Sequence, residues 1–211
     1  LFVLLNLLII ISGKSWMYKA ISVTYLKGHP SSYISDFVHF PTNTIEAGTH
    51  QKWAIADNYN NAELPDFIKP VNDSLETVAF MVIINDSIQY ERYWHGYSAD
   101  TMSNSFSMAK SFVGSLIGVA IKEGKIKSID QKVCDFLPVF CEGGNTELTI
   151  KNLLTMSSGL NWTEDYYNPI GQTAEAYYGG DLKGLMMNLK VVEAPGKVFK
   201  YHSSCTQILT F

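Results

Sequence analysis

The chain opens on an apolar run with no polar face. Leu1 to Ile11 is apolar except for Asn6, and Ser12, Gly13 and Lys14 end the run. A helix lying on a core would show a polar side. Eleven residues fall short of the roughly 20 that span a bilayer. The run fits the apolar region of a signal peptide or the tail of an anchor helix. No small-x-small cleavage site follows Ile11. Residues 1–15 are expected to be a signal or membrane-anchor segment, with a charged leader upstream and membrane anchoring through residues 1–12. The expected location is outside the cytoplasm, periplasmic or in the cell envelope.

Residues 16–70 mix polar and aromatic positions and are punctuated by Pro30, Pro41, Pro65 and Pro70. They read as an extended lead-in to a domain over 71–211. A sharper pattern begins at Glu76. Thr77 to Ile84 is a β-rich apolar run, Asn85-Asp86 is a turn signal, and Ser87 to Trp94 alternates. This predicts a β-hairpin with a continuously buried first strand and a second strand that turns Ile88, Tyr90 and Trp94 inward. From Asn104 onward the period changes. Met108, Phe112, Leu116, Val119 and Ala120 recur at helical spacing, with Asn104 or Ser105 as cap and Gly124 as stop. Two shorter helices are expected at Thr149–Met156 and Asp181–Lys190, and a final apolar segment follows Gly196–Tyr201. The predicted class is α+β: an antiparallel sheet flanked by helices, with an all-helical subdomain.

Composition excludes more than it selects. With 46% apolar and 17% charged residues in 211, the chain is long and apolar enough for a globular core. Net charge is −4 and no basic run occurs, so nucleic acid is not an expected partner. Cys134, Cys141 and Cys205 define no disulfide framework, although the first two can pair in an oxidising compartment. His29, His39, His50 and His95 form no metal-ligand pattern, and no cofactor is implied. Gly13-Lys14-Ser15 lacks the upstream glycine of a phosphate-binding loop, since position 8 is Leu8. No Gly-x-Ser-x-Gly elbow occurs.

Chemistry concentrates at Ser107-Met108-Ala109-Lys110. Residues three apart share a helix face, which sets Ser107 beside Lys110. The first turn of a helix favours negative charge, and a neighbouring amine relieved of its proton by burial can accept one from the hydroxyl. By itself the spacing also suits a capping serine beside a solvent-facing lysine.

The wider context is more specific. Ser105–Phe112 resembles the active-serine motif of the β-lactamase and penicillin-binding protein superfamily of serine hydrolases. Ile150–Leu160 resembles the helix and glycine turn of its class C-type members. Tyr201-His202-Ser203 falls where they carry Tyr-x-Asn. The three blocks come in the family's order and span about Glu76 to Phe211. The resemblance implies that Ser107 forms an acyl-enzyme with an amide or ester carbonyl of a small-molecule or peptide substrate. It implies that Lys110 and Tyr201 share the proton transfers, one activating Ser107 and the other protonating the leaving group. The backbone N–H of Ser107 would supply an oxyanion donor. Ser203 takes the substrate-orienting position that Asn usually fills, with shorter reach. Trp94, Trp162, Tyr166, Tyr167, Tyr177 and Tyr178 are candidates for a cleft or for the core.

The family's third motif, a Lys- or His-Thr-Gly strand, would lie beyond Phe211. The chain is therefore expected to be the N-terminal part of a longer product, truncated at its C-terminus and inactive by itself. A non-catalytic, membrane-tethered binding or sensor protein on the same fold is the alternative expectation.

Overall fold

The computed structural model describes residues 2–49 and 51–211, so Leu1 and His50 lie outside the described residues. The chain divides into two compact units. One joins the residues up to His39 with Asn104–Phe211, and the other is Phe40–Ser103.

The Phe40–Ser103 unit holds β1 (Ala54–Ile55), α3 (Ile68–Ser74), β2 (Ala79–Ile84) and β3 (Ser87–Tyr93) in a sheet ordered β1-β3-β2. The expected hairpin is β2–β3. Its turn residues Asn85 and Asp86 have φ of 50° and 58°. A two-residue turn of that left-handed kind matches the twist of the strands it joins. The sheet is mixed rather than wholly antiparallel, because β1 runs parallel to β3. Asn60 extends that pairing with its side chain: its Nδ2 donates to the Glu91 carbonyl at 3.0 Å, and its Oδ1 accepts from the Glu91 N–H at 2.8 Å.

The expected burial of the first strand is corrected. Met81, Ile83 and Ile84 of β2 are exposed, while Ile88 and Tyr90 of β3 are buried. The strand order explains this: β3 is central and β2 is an edge, so cover goes to β3. Phe80 meets the Tyr90 ring edge-on at 6.1 Å. Trp94 lies just past the end of β3 and is half-buried.

The larger unit is helical: α1 (Phe2–Ile11), α2 (Trp16–Val23), α4 (Ala109–Lys122), α5 (Ile150–Leu154), α6 (Gln172–Tyr178), α7 (Leu182–Met187) and α8 (Ser203–Ile208). Among the described residues no helix is long and apolar enough to cross a membrane. α2 and α6 fall in segments whose sequence carries no clear helical period. Short length hides their faces, yet Ala20 and Val23 of α2 are buried.

The core of this unit gathers Phe140, Leu148, Leu153, Leu160, Trp162 and Met186 around α5, α7 and α8. Burial of such side chains contributes about 1.5–3 kcal/mol each. α5 starts on a reciprocal cap. The Asn152 N–H donates to Thr149 Oγ1 at 3.2 Å, and the Thr149 N–H donates to Asn152 Oδ1 at 3.0 Å. This satisfies two groups that every helix start leaves unpaired. Cys134 and Cys141 are joined by a disulfide, and Cys205 is a buried free thiol.

The expected helix is α4, but the residues that carry its period are not the ones that meet the core. Met108, Phe112, Leu116 and Val119 are exposed, and Ile117 is the buried residue, packed with Ile126 and Ile150. α4 is apolar on more than one side, so period alone does not choose which side meets the core.

Candidate active site

Ser107 lies in a 3-10 turn, Phe106–Met108, that runs directly into α4. The expected caps are not used. Ser105 makes no side-chain cap bond, and Asn104 instead ties the segment to residues 33 and 34. Its Nδ2 donates to the Tyr33 carbonyl at 2.9 Å, and its N–H to the Ile34 carbonyl at 2.8 Å. Phe106, just before Ser107, has a φ of 44°. That conformation is uncommon for an aromatic residue, and such residues cluster at functional sites.

Tyr201 reaches the same place from the other side of the sequence. The turn Met156-Ser157-Ser158-Gly159 holds the incoming chain by its backbone. Val192 N–H donates to the Gly159 carbonyl at 2.9 Å, Gly196 N–H to Ser157 at 2.7 Å and Lys200 N–H to Met156 at 2.9 Å. Gly159 makes this approach possible, because a Cβ there would stand 2.1 Å from the Glu193 carbonyl oxygen. The glycine of the Ile150–Leu160 block thus lets the segment leading to Tyr201 lie close.

The two arms meet on one hydroxyl. Tyr201 donates to Ser107 Oγ at 2.6 Å, and Lys110 Nζ donates to the same atom at 3.2 Å. Lys110 Nζ also stands 5.3 Å from the centre of the Tyr201 ring. Tyr201 is 39% exposed and Ser107 is exposed, so the cluster is open to a ligand. Both groups are thus within reach to exchange a proton with the Ser107 hydroxyl.

Ser203, the fourth candidate, is directed elsewhere. Its Oγ donates to Glu164 Oε1 at 2.6 Å and its N–H to Glu164 Oε2 at 2.7 Å. Glu164 also accepts from Trp162 Nε1 at 2.7 Å and from the Tyr166 hydroxyl at 2.5 Å. Burial pushes this carboxyl up, but the bonds from Ser203, Tyr166 and Trp162 outweigh it and hold it below its ordinary value. Sequence reasoning missed Glu164. Its signal was only its place among Trp162, Tyr166 and Tyr167. His202 is buried, and that burial lowers its imidazole below the ordinary range.

Of the aromatic candidates, Trp162 belongs to the core, Tyr166 and Tyr167 are exposed, and Tyr177 and Tyr178 are half-buried. Trp94 belongs to the other unit. Among the described residues no three potential metal ligands converge.

Residues 64–210 match the family model described as Beta-lactamase. A 6-aminohexanoate-dimer hydrolase from Paenarthrobacter ureafaciens is 27% identical over 170 residues, which cover 68% of this chain and 43% of that protein. A Bacillus anthracis protein assigned provisionally to the same activity superposes with a TM-score of 0.63 at 22% identity, over 75% of this chain and 47% of that one. A class C beta-lactamase superposes with a TM-score of 0.51 at 20% identity, over 68% of this chain and 40% of that one. The chain thus spans less than half the length of these relatives. The α+β architecture is that of the structural neighbours, and the chain belongs to the beta-lactamase family.

Proposed function

We propose that the protein is a serine hydrolase that cleaves an amide or ester bond through an acyl-enzyme on Ser107. The observation that carries this reading is the convergence of Lys110 Nζ and Tyr201 Oη on Ser107 Oγ. In the first step one member of the Lys110–Tyr201 pair is in its deprotonated form, as a neutral amine or a phenolate; Ser107 Oγ attacks the substrate carbonyl carbon and its proton passes to that member. The carbonyl oxygen becomes an oxyanion, which the Ser107 N–H stabilises. One such donor is worth about 10²–10³ in rate. The scissile bond then breaks, and the leaving amine or alcohol takes a proton from the pair. Water repeats the sequence on the ester, releasing the acid and restoring Ser107. General acid–base transfer of this kind contributes about 10²–10⁴.

Ser203 adds a constraint on the substrate. Its proton is spent on Glu164, so it offers a ligand an acceptor lone pair. That suits a substrate N–H, as in an amide, better than a second carbonyl. The likeness to a 6-aminohexanoate-dimer hydrolase supports short amide oligomers as the first substrates to screen. The apolar helix α1 and the Cys134–Cys141 disulfide support an exported protein, because disulfides persist in oxidising compartments.

The test is covalent labelling of the protein expressed from its complete gene with a fluorophosphonate probe, followed by mass spectrometry of the adduct. Phosphonylation at Ser107 that disappears in Ser107→Ala is the expected result. A folded protein that takes no label would overturn the hydrolase reading and favour a binding or sensor role on the same fold.

A further inference from the structure

Glu164 accepts four hydrogen bonds on two oxygens, which uses about all the lone-pair sites a carboxylate has. A carboxylate so occupied has no capacity left for a ligand or a mobile proton. It is built as a clamp. One side of the clamp is fixed: Trp162 is 5% exposed and packs in the core. The other side is Ser203, held by both its N–H and its hydroxyl. Two residues before Ser203 stands Tyr201, whose hydroxyl touches Ser107 Oγ at 2.6 Å. Core, Trp162, Glu164, Ser203 and Tyr201 thus form one connected path ending on the nucleophile.

The placement at that end matters. A misplacement of about 1 Å can cost roughly 10²-fold in rate. Tyr201 itself is 39% exposed, so packing covers its ring only in part. The backbone bonds to the Met156–Gly159 turn stop at Lys200. Beyond that residue His202 is buried, and the next hydrogen-bonded anchors are the two bonds from Ser203 to Glu164. Tyr201 therefore lies between Lys200 on one side and the buried His202 and the Glu164 clamp on the other.

We propose that Glu164 is a positioning residue for the Ser107 chemistry: by fixing Ser203 it holds the Tyr201 hydroxyl on Ser107 Oγ. The inference rests on the hydrolase reading above and adds to it a residue that touches neither substrate nor nucleophile. Glu164→Gln keeps the size of the side chain but replaces an acceptor oxygen with an NH₂ group facing donors. The expected effect is a slower phosphonylation of Ser107, by about 10- to 100-fold. The loss should pass through Ser203. In a Ser203→Ala background, Glu164→Gln should add less than about a further twofold, the non-additivity expected of residues in one network.

A second readout is independent of activity. The ring resonance of ¹³C-labelled Tyr201, assigned by its loss in Tyr201→Phe, should shift in Glu164→Gln. Wild-type labelling rate in Glu164→Gln, or effects that simply multiply with Ser203→Ala, would overturn the proposal. Should the wild-type protein take no label, the hydrolase reading falls, and the resonance alone decides the clamp: shifted supports it, unmoved overturns it. If Glu164→Gln does not fold, Ser203→Ala deletes one hydroxyl and gives the same two readouts. Wild-type values for both would then refute the inference.

Discussion

α4 and α5 are apolar helices of the same unit, yet they are buried to very different extents. Along the 14 residues of α4, Ile117 alone is buried, and Phe112 and Leu116 are 68% and 64% exposed. In five residues α5 buries Ile150 and Leu153, the latter at 1% exposure. The Ser107 site joins these two kinds of support. Ser107 is carried on the lightly packed element. Its partner Tyr201 arrives on a backbone bonded to the turn that ends α5, beside the main core. The hydroxyl of Ser107 is thus located by polar contacts to Lys110 and Tyr201 more than by packing.

The largest effects that can break this picture are kinetic. Lys110→Ala and Tyr201→Phe should each slow phosphonylation of Ser107 by about 10²–10⁴. Both side chains lie at an open site, so urea midpoints should barely move. If either variant labels at the wild-type rate, that arm of the site is ornamental.

Stability comes next. Leu153→Ala removes a fully enclosed side chain and should cost about 2–5 kcal/mol in urea unfolding. Phe112→Ala on the open face of α4 should stay within about 0.5 kcal/mol. Equal costs would mean that the two helices are supported alike. The disulfide sharpens the same point. It closes a short loop, with a sequence separation of 7, whose flanking residues Val133 and Phe140 are core. Reduction should cost about 2.5 kcal/mol by the loop-entropy relation. It should leave Ser107 labelling unchanged at temperatures where the protein stays folded.

The smallest effects are pH-dependent. His202 is held below its ordinary value by burial, so the unfolded chain binds its proton first. Its contribution is complete above the ordinary histidine range and is lost as pH falls from that range through the lowered native value. Glu164 is also held below its ordinary value, 4.5, so its contribution is present above that pH and declines as pH falls further. Both act in the same direction. Urea titrations from pH 8 to 3 should show stability falling in two stages. Glu164→Gln should remove the lower one.

Much of the site was legible in the sequence because it is written in short-range spacing. Ser107 and Lys110 are three apart, and the stop at Gly159 and the Asn85-Asp86 turn each declare themselves within a few residues. Tyr201 was found through resemblance, since nothing local links it to a residue 94 positions earlier. What failed was the choice of face. Phe112 and Leu116 obey the helical period and still point away from the core, because α4 has apolar residues on several sides. β2 reads as a buried strand and lies at a sheet edge. Glu164 was invisible for a different reason: its meaning depends on four donors, of which Ser203 is 39 residues distant.

The positive φ of Phe106 has a bearing on heat. A residue held in that region stores about 1–3 kcal/mol, which the surrounding contacts must keep in place. Those contacts include the polar ones around Ser107 and Asn104, which lie at an open surface and are expected to loosen before the core of α5, α7 and α8 gives way. On warming, Phe106 should relax to an ordinary conformation first and swing the hydroxyl of Ser107 out of line. Inactivation would then precede melting, and the gap between the two temperatures would measure how far the site is wound beyond what the rest of the fold requires.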